Sequence, residues 1–142
     1  MKTYRYPATF EAGEEPGIIV VGFADVPEAI TEGDDAEQAM ENAADALGHA
    51  LLAYLRLGRS LPRPSKGGDK MIAPPADIVA KLALLETFEA AGITRTELAR
   101  RLGKDEKQVR RILDPMHGTD IATLEAAISA MGKRLVIGLE AA

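Results

Sequence analysis

The chain has 142 residues, 46% of them apolar, which is enough for one large or two small packed domains and argues against global disorder. The absence of cysteine and the presence of only two histidines exclude disulfide scaffolds, thiolate or histidine-rich metal sites and cysteine nucleophiles, and 4% aromatics with no tryptophan leave little for base-stacking platforms. The net charge of −5 is unevenly spread: residues 1–69 carry 6 basic and 12 acidic side chains, and the stretch from Arg95 to Arg111 carries 7 basic against 3 acidic. An acidic half joined to a half with a basic cluster points to two binding tasks, one for a basic partner and one for phosphate.

Tyr4–Phe10 is rich in aromatic and β-branched residues and predicts a strand; EAGEEP over 11–16 predicts a turn; Ile18–Phe23 predicts a second, antiparallel strand that Pro27 stops. A short third strand is expected over Ala29–Glu32. Gly33-Asp34-Asp35 then opens a helix, with Asp34 as the expected N-cap and Glu37 three residues on. Ala36, Met40, Ala43, Leu47, Ala50 or Leu51, and Tyr54 recur at helical spacing as one apolar stripe, and Gly58 ends the helix. RSLPRPSKGGD over 59–69 predicts a linker or an extended arm, and Met71–Pro75 a possible strand. From Asp77 the pattern is helical: Ile78–Ala91, Thr94–Leu102, Asp105–Leu113, and a fourth helix capped by Thr119 or Asp120 and running to Met131. Arg134–Leu139 predicts a short terminal strand. The fold class is therefore α+β: a small antiparallel sheet with one helix over residues 1–66, a linker or edge strand over 67–73, and an all-α domain with a terminal strand over 74–142. No run approaches a membrane span and the N-terminus has no apolar signal core, so a cytoplasmic chain with no membrane partner is expected.

The sharpest pattern is ITRTELARRLGKDEKQVRRIL, residues 93–113. A small residue, Ala99, allows one helix to cross closely over another; Gly103 permits the tight turn; Val109 and Ile112 pin the second helix to the core and leave its N-terminal side chains outward. The stretch from about Ile78 to Gly132 resembles the Cro/repressor-type helix-turn-helix family. That resemblance gives Arg95 a phosphate contact and puts Glu106, Lys107, Gln108 and Arg111 at base edges in double-stranded operator DNA. Lys107 and Arg111 suit guanine acceptors, Gln108 suits adenine, and Glu106 suits cytosine N4 or repels wrong sites. Thr96, Lys104 and Arg110 complete the expected DNA-binding set, and Asp105 is expected to cap the helix rather than touch DNA.

The first 65 residues carry a second resemblance, on Tyr6-Pro7-Ala8-Thr9-Phe10, on the run from Gly22-Phe23-Ala24-Asp25-Val26-Pro27 to Thr31-Glu32-Gly33-Asp34, on Glu41-Asn42-Ala43, and on Leu61-Pro62-Arg63-Pro64-Ser65. In order and spacing this is similar to HicB-type antitoxins, with Glu28-Ala29 where that family often has Gly-Cys. The resemblance implies a reduced RNase H-like fold without enzymatic activity. It implies a small HicA-type mRNA-cleaving toxin as partner, neutralised by steric covering, and repression of the chain's own operon. Phe23, Asp25, Val26, Glu28, Glu32, Glu37, Glu41 and Asp45 are the expected toxin-binding residues, since an acidic surface suits a protein that grips RNA.

The carboxylates Asp25, Glu28, Glu32, Asp34 and Asp35 also raise the alternative of a two-metal nuclease. Asp34 has a capping role and no later helix supplies a completing carboxylate, so no catalytic residue, metal or cofactor is expected. A stand-alone helix-turn-helix regulator with a ligand-sensing N-terminal module is the rival function. A single helix-turn-helix covers few base pairs, so a homodimer is expected, held by Leu135, Ile137 and Leu139 of the terminal strand.

Overall fold

The computed structural model describes residues Met1–Ala141. The chain divides into two compact units, Met1–Val79 and Ala80 onwards. In the first, β1 (Tyr6–Ala12), β2 (Ile19–Phe23), β3 (Thr31–Gly33) and β4 (Lys70–Ile72) form one antiparallel sheet in the order β3-β2-β1-β4. β4 lies within the segment expected to be a linker or edge strand and pairs with β1 through Tyr6↔Ile72 and Ala8↔Lys70. The third strand begins later than expected because Ala29 is tied into a turn, its N–H donating to the Val26 carbonyl at 2.9 Å.

Helix α1 (Ala36–Arg56) covers one face of this sheet. Its N-cap is Asp35, not Asp34: the Asp35 carboxylate accepts from Gln38 N at 2.8 Å, while the Gln38 side chain accepts from Asp34 N at 2.7 Å. The buried stripe includes Ala39, Ala43, Leu47, Leu51 and Tyr54; of the expected stripe Ala36 is exposed and Met40 half-buried, because it is Ala39 that meets the sheet, at Gly33. Strand and helix touch at Gly33, where an added Cβ would stand 2.3 Å from the Ala39 backbone nitrogen. Only a residue with no side chain fits that approach. Asn42 fastens the same junction by donating to the Glu32 carbonyl at 2.8 Å. Tyr4, Tyr6, Ala8, Val21, Phe23, Val26 and Ala29 complete the core of this unit with the α1 stripe.

The second unit is helical: α2 (Ala76–Ala91) from Ala80 on, α3 (Arg95–Leu102), α4 (Glu106–Ile112) and α5 (Ile121–Ala130). Ala80, Leu84, Ile112, Leu124, Ala127 and Ile128 form one buried cluster, and Leu98, Ala99 and Val109 a second. Asp120 caps α5 by accepting from Thr123 N at 2.7 Å, which holds its carboxyl below the ordinary value. The expected terminal strand is not one in the single chain: Arg134–Glu140 joins no ladder among the described residues. A strand needs a neighbour for its N–H and C=O groups, and β4, the other candidate, is already paired with β1. Leu135 is half-buried against the first helical cluster, while Ile137 and Leu139 are exposed. Among the described residues no helix is long and apolar enough to cross a membrane.

Candidate functional site

Helix α3 begins at Thr94, whose hydroxyl accepts from Glu97 N at 3.1 Å, and ends at Gly103 with φ +64°. That left-handed residue closes the helix, with Lys104 N donating to the Ala99 carbonyl at 3.1 Å, and turns the chain into α4 within three residues. Asp105 then caps α4 reciprocally. Its carboxylate accepts from Gln108 N at 2.8 Å, and the Gln108 side chain accepts from Asp105 N at 3.1 Å. Leu98, Ala99 and Val109 bury the crossing of the two helices, with Phe88, Ile93, Leu102 and Leu113 packed around them. A short capped helix is thus presented on a fixed support with its first turn outward, the geometry a major-groove reader needs.

The cations sort into two sets. Glu97 takes two arginines: Arg100 at 2.6 Å and Arg101 at 2.9 Å, which together hold its carboxyl down to about 2. Arg101 also donates to the Ala130 carbonyl at 3.0 Å, tying α3 to the end of α5. Arg95, Lys107, Arg110 and Arg111, in contrast, are exposed and make no salt bridge or side-chain hydrogen bond among the described residues. Lys107, Arg110 and Arg111 lie within one turn of each other on α4, so their charges add on one side. Lys104 is half-buried near Asp120. Thr96 donates to Glu106, fixing that carboxylate across the turn, and the oxygen of Gln108 is occupied by the cap, which leaves its NH₂ group for any base.

Lys81 was not singled out by the sequence, yet it is the side chain that anchors α4 from below. It is 4% exposed, and its Nζ donates to the Ile112 carbonyl at 2.7 Å and to the Thr119 hydroxyl at 2.8 Å. A lysine within the apolar run Ala80-Lys81-Leu82 was the available signal. Burial pushes its pKa down from 10.5 to about 8, opposed by the Asp114 carboxylate. A neutral amine keeps two N–H groups, so both hydrogen bonds survive loss of the proton. The unfolded chain holds that proton up to about 10.5, so this group makes the second unit more stable as pH rises from about 8 to 10.5. Urea unfolding followed at pH 7 and pH 9.5 should show this gain, and the Lys81→Met variant should lose it.

In the first unit the expected toxin-facing residues separate. Phe23 and Val26 are 3% and 0% exposed, so a partner reaches neither; the sheet register turns Phe23 toward α1. Asp25 clamps the proline-rich arm, accepting from Ser65 N at 2.9 Å and Ser65 Oγ at 3.0 Å, while Tyr6 donates to the Pro62 carbonyl at 2.6 Å. Glu28 accepts from the Tyr54 hydroxyl at 3.0 and 2.8 Å and lies 3.9 Å from Arg59, whose guanidinium sits 4.1 Å above the Tyr54 ring. Its carboxyl is held below the ordinary value by its own backbone N–H first and then by Tyr54, and the Tyr54 phenol is raised in return. Glu32, Glu37, Glu41 and Asp45 are exposed. Among the described residues no group of three or more His, Asp or Glu side chains converges to hold a metal ion.

A family model described as the HicB-like antitoxin of a bacterial toxin-antitoxin system matches residues 5–84. The chain is 38% identical over 140 residues to Antitoxin HicB 1 of Photorhabdus laumondii, covering 99% of this chain and 90% of that one. It is 41% identical over 134 residues to Antitoxin HicB 2 of the same organism, covering 94% and 95%. To Antitoxin HicB of Escherichia coli strain K12 it is 38% identical over 133 residues, covering 92% and 96%.

Proposed function

The chain belongs to the family of HicB-like antitoxins, and from that membership we propose that it neutralises a HicA-type mRNA-cleaving toxin with its first unit and represses its own operon with its second. It is a binding protein, not an enzyme. Inhibition is steric: the acidic unit covers the basic RNA-gripping surface of the toxin, and no bond is made or broken. Its place is the cytoplasm, where both messenger RNA and the operon are found.

The observation that carries the DNA-binding half is the set of exposed cations Arg95, Lys107, Arg110 and Arg111, unpaired among the described residues, on and beside a capped, core-anchored helix. Charges that the fold does not use for its own pairing are available to phosphate and base edges. Lys107 and Arg111 are assigned to base edges and Arg95 to the backbone. Thr96 serves by holding Glu106, and Lys104 and Arg110 add to the positive field.

A second copy of the chain completes the operator-binding form. Ile137 and Leu139 are 63% and 102% exposed at the end of the helical unit, in an apolar segment with no ladder partner among the described residues. Antiparallel pairing of two such segments about a two-fold axis satisfies their backbones and brings two helix-turn-helix units together.

The test is direct. The purified full chain, mixed with an equimolar HicA-type toxin, should co-elute with it and abolish RNA cleavage. The same chain should bind a duplex from its own promoter more tightly than an unrelated duplex at equal salt. Undiminished cleavage at molar excess would overturn the antitoxin half, and equal affinity for both duplexes the repressor half.

A further inference from the structure

The sheet of the first unit has a second face that α1 does not cover, and one residue in it has no explanation inside the chain. Residues paired across a ladder share a face. Gly33 abuts α1, so its partner Ile19 and, by alternation along the strands, Val21, Phe23, Ala8 and Phe10 face the helix. The other face carries Thr9 opposite Gly22, and a cross-strand row Glu11–Val20–Glu32.

Gly22 lies in β2, an inner strand of the sheet. Its φ is not positive, and a Cβ built there meets no atom within 4 Å. Any side chain would fit, and most would favour the strand more than glycine does. Gly33 and Gly68 are different: an added Cβ at either would run into backbone atoms. A strand glycine that its own fold does not require marks the close approach of something from outside. Beside it, Val20 is partly exposed, Glu11 and Glu32 are exposed with no basic partner among the described residues, and Ile30, just before β3, is 68% exposed. A bare centre beside Val20 and Thr9, flanked by two carboxylates, is therefore exposed on the acidic unit.

We propose that this open sheet face, centred on Gly22 and flanked by Glu11 and Glu32, is where the toxin docks. The inference rests on the antitoxin reading and locates it. A protein that grips RNA carries cations on its working surface, and Glu11 and Glu32 complement them. The bare centre lets that surface approach the sheet backbone. The rival surface is the row Glu37, Glu41 and Asp45 on α1, which has charge and no glycine between its carboxylates.

The experiment measures the affinity of the full chain for a HicA-type toxin by calorimetry. Gly22→Arg places bulk and the charge of the toxin into free space, so it should keep the wild-type melting midpoint and weaken toxin binding at least a hundredfold. The triple variant Glu37→Lys, Glu41→Lys, Asp45→Lys should bind within threefold of wild type. If Gly22→Arg does not fold, Glu11→Lys with Glu32→Lys replaces it and should weaken binding at least tenfold. Binding by a folded Gly22→Arg chain within threefold of wild type overturns the proposal, as does a hundredfold loss in the α1 variant alone. A change in the sedimentation of the free Gly22→Arg chain would make the face a contact between copies and also overturn it. Failure of the wild-type chain to bind the toxin refutes the antitoxin reading itself, an outcome distinct from the others.

Discussion

Replacing Lys107 and Arg111 together by alanine should weaken operator binding by about 30-fold to more than 10,000-fold. Each side chain that donates to base acceptors contributes about 1–3 kcal/mol of discrimination, and the two reach different base pairs. Neither replacement should disturb the fold, since both side chains are exposed and without a partner among the described residues. The loss should be confined to the cognate duplex, with weak binding to unrelated DNA nearly retained. Arg95→Ala is the contrast: it should weaken binding to all duplexes alike and flatten the dependence of log affinity on log salt by about 1. Fluorescence anisotropy over a salt series separates the two patterns. Wild-type affinity in the double variant would remove α4 from the base-reading role.

Removing the residues after Lys133 should convert the free chain to a monomer and weaken operator binding by at least about a hundredfold. One helix-turn-helix alone contacts a single half-site, and two half-sites about one helical turn apart are read only when the copies are joined. Leu135 is half-buried against the helical cluster, so its loss also costs some packing. Ile137→Asp with Leu139→Asp keeps Leu135 and puts charge on the two exposed apolar side chains, and it should give the same mass change with the helical unit intact. Sedimentation equilibrium and the operator titration report on both. A truncated chain that stays dimeric with unchanged operator affinity would place the dimer contact elsewhere.

The helix-turn-helix was legible because its determinants are local. Thr94, Asp105 and Gly103 act on residues within a few positions of themselves, and caps and stops of this kind are written in the sequence next to what they cap. Even so, two adjacent aspartates, Asp34 and Asp35, were not separable by pattern, and the one that caps is set by Gln38 reaching back. The motifs of the first unit were legible as a family pattern, but their work was not. Asp25 and Ser65 are 40 residues apart, and only the folded sheet shows the acid holding the arm rather than facing a partner. Phe23 and Val26 were expected among the toxin-binding residues, and only the fold shows both buried, Phe23 by the strand register and Val26 in the turn that follows β2. Lys81 reaches partners 31 and 38 residues away, a separation no spacing rule covers. The terminal segment was legible as strand-like from its apolar residues, but a strand also needs a neighbouring ladder, and Arg134–Glu140 joins none among the described residues.

We propose that one chain carries two separable binding surfaces, an acidic one for the toxin and a basic one for the operator. The measurement that bears on it most directly uses cells expressing a HicA-type toxin and a reporter driven by the chain's own promoter, supplied with the full-length Lys107→Ala, Arg111→Ala variant at wild-type abundance. With separable surfaces, the reporter should be released from repression while the cells continue to grow. Growth arrest together with released repression, or a reporter still repressed, would contradict it.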